Sequence, residues 1–165
     1  MNMQKMFTHV ESPVKLKEFR SFTDPTGSRF YESPGGKFPS VTTVTGWEKK
    51  QFFAEWRKKN PKESKRVLSR GNNLHQLIED YLNNKDIDLM STSPVVASLF
   101  VQMKDTLDKI DNIYALEMPL WSNTLALAGR VDCVAEYNGK LSVIDFKGST
   151  RQKRGKDIEN YFLQG

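Results

Sequence analysis

The dipeptide Asn138-Gly139, set between residues 127–137 and 140–147, constrains this chain more than any other feature. Asn-Gly accepts the positive φ angles of a two-residue turn, and both flanks are rich in β-branched and apolar residues, so the whole reads as a β-hairpin. Such a turn sets the register, because residues equidistant from it face each other. Tyr137 then pairs with Lys140, and further out Asp132 falls opposite Asp145 and Arg130 opposite Lys147. Side chains alternate along a strand, so Arg130, Asp132, Asp145 and Lys147 share one face while Cys133 turns away from it.

Directly opposed carboxylates have Cβ atoms about 4.5–5.5 Å apart and repel one another. A divalent cation relieves the repulsion, since its oxygen ligands lie at roughly 2.0–2.6 Å. Hard oxygen donors favour Mg²⁺ or Mn²⁺ over zinc. Lys147, two residues beyond Asp145, can hold or deprotonate an attacking water or neutralise charge developing on phosphorus. This is the equipment of metal-assisted phosphodiester hydrolysis. The bland alternative for the same residues is a solvated face of alternating charge.

The segments Gly129-Arg-Val-Asp132 and Val143-Ile-Asp-Phe-Lys-Gly-Ser149 resemble the core of the PD-(D/E)XK nuclease superfamily, in particular its RecB-like branch of phage and mitochondrial genome maintenance exonucleases. The resemblance implies a restriction-endonuclease-like α/β fold, with helices packed on a small mixed sheet that carries a catalytic β-hairpin. It makes Asp132, Asp145 and Lys147 catalytic, and gives the backbone carbonyl of Phe146 a place in the metal shell. It extends to Gly71-Asn-Asn-Leu-His75, where His75 matches a metal-ligating histidine, and to Ser149, at a small hydroxyl position suited to phosphate. Glu117 matches an acidic position common in this branch, an edge-strand glutamate being the other reading. RecB-like nucleases continue into a helix bearing Gln-x-x-x-Tyr; Gln164 stands at the glutamine position and no tyrosine follows it.

Upstream, Arg29-Phe-Tyr31, Pro34-Gly-Gly36 and Lys37-Phe-Pro-Ser40 read as a short strand, a turn and a helix start. Residues 38–44 resemble an N-terminal signature of phage RecB-like exonucleases. Ser40 and Thr42 are placed either to grip a phosphate or simply to cap the helix. Residues 48–59 form an amphipathic helix in which Phe52, Phe53 and Trp56 sit among lysines and arginines. Those aromatics either stack bases or join the core. Lys62, Lys65, Arg66 and Arg70 extend the positive stretch toward a DNA path. The next helix buries a stripe of Leu74, Ile78, Tyr81 and Leu82, with His75 at its margin and Glu79 on the same face as His75. Ser93-Pro94 opens a further helix whose stripe Val96, Leu99, Phe100, Met103, Leu107 and Ile110 is scaffold. Residues 114–120 form the strand leading into the hairpin.

The 165 residues, 38% hydrophobic, suffice for one domain with a real core. We divide it into an N-terminal extension (1–46), a helical part (47–111) and the catalytic hairpin with its basic loop (113–165). Within that loop Arg151, Lys153 and Arg154 suit flanking phosphates, or are plain exposed charge. The net charge of +5 suits a polyanionic partner. The single cysteine rules out an internal disulfide and the four-cysteine iron–sulfur cluster of some RecB-like relatives. No apolar run reaches the roughly 20 residues of a membrane span, and the first residues lack a signal-peptide pattern. A cytoplasmic setting, bacterial or phage-infected, is the default; the mitochondrial matrix stays open. The expected function is a Mg²⁺- or Mn²⁺-dependent exonuclease on linear or single-stranded DNA. The alternative is a nucleic-acid-binding module that keeps the fold without the chemistry.

Overall fold

The computed structural model describes residues 5–149. Three short strands come first: β1 (Ser21–Thr23), β2 (Arg29–Ser33) and β3 (Gly36–Pro39), paired antiparallel in that order. Four helices follow, α1 (Val41–Thr45), α2 (Lys50–Lys59), α3 (Pro61–Leu82) and α4 (Pro94–Leu107), with a single 3-10 turn at Trp47–Lys49 before α2. The chain then forms a second antiparallel sheet from β4 (Ile110–Ser122), β5 (Leu127–Tyr137) and β6 (Lys140–Ile144), again in sequence order. The expected small mixed sheet is therefore two three-stranded antiparallel sheets. Successive strands joined by turns of a few residues can only run antiparallel, since a parallel neighbour needs a long crossover. Parallel pairing among the described residues is limited to two isolated bridges, His9 with Ile113 and Ser40 with Ala128.

The core lies between α3, α4 and one face of the second sheet. Leu74, Ile78 and Leu82 from α3 meet Val96, Phe100 and Leu107 from α4, with Ile113, Cys133 and Ala135 of the sheet against them. Each fully buried aliphatic side chain of this kind contributes about 1.5–3 kcal/mol. Helix α4 begins as its sequence predicts, with Pro94 in the first turn and the Ser93 hydroxyl accepting the Val96 N–H. Helix α3 begins ten residues before Gly71, at Pro61. Its first half is polar and exposed, so hydrophobic periodicity could not reveal it; a first-turn proline and the Glu63–Arg66 ion pair at 2.9 Å support it instead. Residues 37–39, read as the approach to a helix, extend into β3 and close a hairpin on β2. Ser40 then caps α1, accepting the Thr43 N–H.

Two polar clusters tie the layers together. The Tyr81 hydroxyl donates to Asp108 Oδ1 at 2.5 Å and Lys104 Nζ to Asp108 Oδ2 at 2.6 Å, which joins the end of α3 to the end of α4. The N-terminal segment runs along β4 through the Val10 N–H to Ile113 carbonyl and the Ile113 N–H to Thr8 carbonyl bonds. The Asn84 side chain holds both backbone groups of Phe7.

Candidate metal centre

The hairpin adopts the predicted register, Tyr137 with Lys140 through Cys133 with Ile144. It stops one step short of the aspartates. Asp132 lies on β5, but Asp145 is already beyond the end of β6. The reason is local: the Phe146 N–H donates to Asp132 Oδ2 at 2.7 Å, so a carboxylate takes the hydrogen bond that would have prolonged the ladder. Asp132 and Asp145 consequently do not form a directly paired couple. Asp145 holds Lys147 instead, Nζ to Oδ1 at 2.7 Å.

The carboxylate that Asp132 does confront comes from the other neighbouring strand. On β4, Leu116 pairs with Cys133 and Met118 with Val131, which sets Glu117 across from Asp132. Glu117 has φ +48°, a left-handed conformation rare in non-glycine residues, and so kinks the strand at this point. His75 arrives from α3, its Nδ1 lying 3.7 Å from Asp132 Oδ2 and 3.8 Å from Glu117 Oε1. One donor atom from each of these three residues lies within 4.8 Å of the others.

Electrostatics explain why the trio is poised for a cation. Burial pushes the Asp132 carboxyl above its ordinary value, against the opposing effect of the Phe146 N–H. Burial also raises Glu117, and the charge of Asp132 raises it further. The separations from His75 are too long for hydrogen bonds, so nothing in the trio satisfies all three donors. Ligands at roughly 2.0–2.6 Å from a shared centre span up to about 5 Å, so one imidazole and two carboxylates so grouped fit a divalent ion. Asp132, Glu117, Arg130, Asp145 and Lys147 also line an open groove of about 690 Å³, bordered by Arg29, Tyr31 and Thr42.

The other predicted residues are placed unevenly. Thr42 is exposed on the groove, whereas Ser40 is 2% exposed with its hydroxyl engaged in the α1 cap. Arg130 reaches the Glu117 carbonyl and the Glu18 carboxylate. Arg70 is half-buried on α3. Ser149 lies outside the groove, beside Ser98 and Gln102 of α4. Phe146 is buried and its ring meets that of His75 edge-on at 6.4 Å. Arg151, Lys153, Arg154 and Gln164 lie outside the described residues. Phe52 and Phe53 are 64% and 45% exposed, which removes them from the core, whereas Trp56 is half-buried; Trp47, just before the helix, is 68% exposed. Cys133 is fully buried, and its thiol is pushed up to about 12 by burial and by the charge of Asp132.

No protein-family profile matches the chain. Among curated proteins it is similar to mitochondrial genome maintenance exonuclease 1. The human protein is 32% identical over 88 residues, covering 53% of this chain and 26% of the human one. The mouse protein is 29% identical over 128 residues, covering 70% and 38%. The Xenopus tropicalis protein is 28% identical over 131 residues, covering 72% and 38%. This chain thus spans between a quarter and two-fifths of the length of these relatives. Glu117 is the residue that hairpin arithmetic passed over. Its signal was an acidic side chain on the strand feeding the hairpin, and its place opposite Asp132 depends on a β4–β5 register that no turn signal announces.

Proposed function

We propose that this chain is a nuclease domain of the RecB-like PD-(D/E)XK type that hydrolyses DNA phosphodiester bonds with Mg²⁺ or Mn²⁺, acting as an exonuclease on linear or single-stranded DNA. One observation carries the reading: an imidazole and two raised carboxylates are grouped on three different elements, and the two carboxylates line an open groove together with an Asp–Lys pair. The relatives' shared name, exonuclease, points the same way.

His75, Glu117 and Asp132 would hold the ion, and Asp145 and the Phe146 carbonyl are the further ligands that the resemblance implies. When bound, the ion supplies charge neutralisation at the phosphate and acidifies a water. The chain's own groups do the rest. The Phe146 N–H orients Asp132 through Oδ2 and ties the segment carrying Lys147 to β5. Asp145 steadies the Lys147 ammonium at the groove, where Nζ can orient the attacking water and offset negative charge on the phosphoryl oxygens. Exposed Trp47, Phe52 and Phe53, interleaved with Lys49, Lys50 and Arg57, offer stacking faces and charge for unpaired bases, which favours single strands. The relatives' names point to mitochondrial DNA as the setting; nothing comparable supports a bacterial or phage one.

The test is incubation of end-labelled linear and circular DNA, single- and double-stranded, with Mg²⁺ or Mn²⁺. Loss of linear single strands with circles surviving is expected, together with a drop of about 10²-fold or more for Lys147→Ala or Asp132→Asn. Metal-dependent degradation untouched by either substitution overturns the assignment. DNA binding without any cleavage establishes the non-catalytic module instead.

A further inference from the structure

Arg130 stands beside the site without belonging to the donor trio, and its hydrogen bonds run in an unexpected direction. It lies on β5 two residues before Asp132, opposite Pro119 of β4. Its Nη1 donates to the backbone carbonyl of Glu117, and its Nη2 reaches Glu18 Oε2 at 3.4 Å. Glu117 is the residue with φ +48°, and the two β4–β5 pairings that bracket it skip it. A left-handed φ in the middle of a strand turns the peptide out of the ladder, and a non-glycine residue keeps it only where its surroundings over-determine it. Here the guanidinium donates to the carbonyl of the kinked residue itself.

The consequence falls on the side chain. Relaxation of Glu117 to ordinary extended backbone would swing its Cα–Cβ direction and carry the carboxylate out of the group that lies within 4.8 Å of His75 and Asp132 donors. We propose that Arg130 is a positioning residue for the metal centre: it locks the left-handed kink at Glu117 and so fixes the third donor. This rests on the metal-binding reading above. It gives Arg130 a task performed before DNA arrives, in place of the phosphate contact that its charge and its position on the hairpin face suggested. Glu18 is 65% exposed at the side chain, so it steadies the guanidinium only weakly.

The experiment measures Mn²⁺ binding to the whole chain without DNA, by the electron paramagnetic resonance signal of free Mn²⁺, for wild type, Arg130→Gln, Arg130→Lys, Arg130→Met, Glu18→Gln and Glu117→Gln. Arg130→Gln is expected to lose about 10–100-fold in affinity, as is usual when the group holding a ligand is removed. It should approach Glu117→Gln, with Arg130→Lys between it and wild type and Glu18→Gln close to wild type. Wild-type Mn²⁺ affinity in Arg130→Gln, with a defect seen only in KM for DNA, overturns the proposal in favour of a phosphate contact. Should Arg130→Gln fail to fold, Arg130→Met decides: it keeps the apolar stem and has no N–H to offer the Glu117 carbonyl, and wild-type Mn²⁺ affinity in it overturns the proposal. Absence of Mn²⁺ binding in wild type overturns the metal centre itself, and the positioning role with it.

Discussion

At Glu117 and Asp132 the chain keeps two partly buried carboxyls close together, and both are raised above their ordinary values by burial first. The sign of this arrangement is destabilising. A carboxyl whose folded value exceeds its unfolded one favours the native state only while protonated, and that contribution is lost as pH rises through the raised value. Near pH 7 the metal-free protein therefore carries a penalty that a bound cation would relieve. Glu117→Gln should raise the melting temperature of the EDTA-treated protein by a few degrees, about what a 1 kcal/mol change gives in a domain of this size. It should at the same time abolish most of the stabilisation that Mn²⁺ gives the wild type. Calorimetry with EDTA and with Mn²⁺ reads both effects, and a variant that melts earlier in EDTA but still responds fully to Mn²⁺ contradicts this account. Cys133, its thiol pushed up to about 12, has no thiolate to offer and acts as a small apolar core residue.

Among the elements, the exit from β6 matters most, because the residues after Ile144 carry Asp145, Phe146 and Lys147 past α3. Gly148 allows that passage. A Cβ there would stand 2.5 Å from Leu74 Cδ2 and 3.7 Å from Leu99 Cδ1, and Leu74 is buried in the core one residue from His75. Gly148→Ala must displace the Leu74 side chain within the core or move the segment holding Lys147. We expect a loss of stability of about 1–3 kcal/mol, the usual cost of overpacking. Leu74→Val vacates part of the contested space, so a double-mutant cycle should show a favourable coupling of about 0.5 kcal/mol or more. Additive losses in urea melts would show that the glycine serves something other than this contact.

For the whole molecule, the joint between α3 and α4 makes stability depend on pH at both ends of the scale. Burial alone would raise Asp108, but hydrogen bonds from Lys104 and Tyr81 outweigh it and hold the carboxyl below its ordinary value. Lys104 is raised to about 12, first by its hydrogen bond to Asp108 and then by that to Tyr81. Tyr81 is raised, mainly by burial and then by Asp108. A depressed carboxyl stabilises the fold above its unfolded value of about 3.9 and loses that contribution as pH falls through the lower folded one. A raised lysine or tyrosine stabilises below its unfolded value, about 10 in either case, and loses that contribution as pH rises through the folded one. Melting temperature against pH should therefore fall on both flanks. Asp108→Asn should lower the central plateau and flatten both flanks, and flanks as steep as the wild type's would place the titration elsewhere.

Much of this was legible in the chain. Asn138-Gly139 specified the hairpin and its register, because a two-residue turn leaves no freedom in which residues face each other. Ser93-Pro94 and the stripe behind it specified α4 as far as Leu107, because capping and periodicity are local, whereas Ile110, read as part of that stripe, opens β4. The first half of α3 was hidden because it has no apolar face, and β3 because a tight turn outweighed the helix signal beyond it. The site was half legible. Asp132, His75 and the Asp145–Lys147 pair could be singled out, yet the partner expected for Asp132 was Asp145, and the carboxylate across from it belongs to Glu117. The sequence by itself determined which residue types line the hairpin, since that follows from alternation and turn geometry over a few residues. Only the tertiary structure decided which of them converge. The approach of α3 is set by packing between segments some 40 to 60 residues apart, and the register of β4 on β5 and the kink at Glu117 by a connection that carries no strong turn signal, so no local rule reaches them.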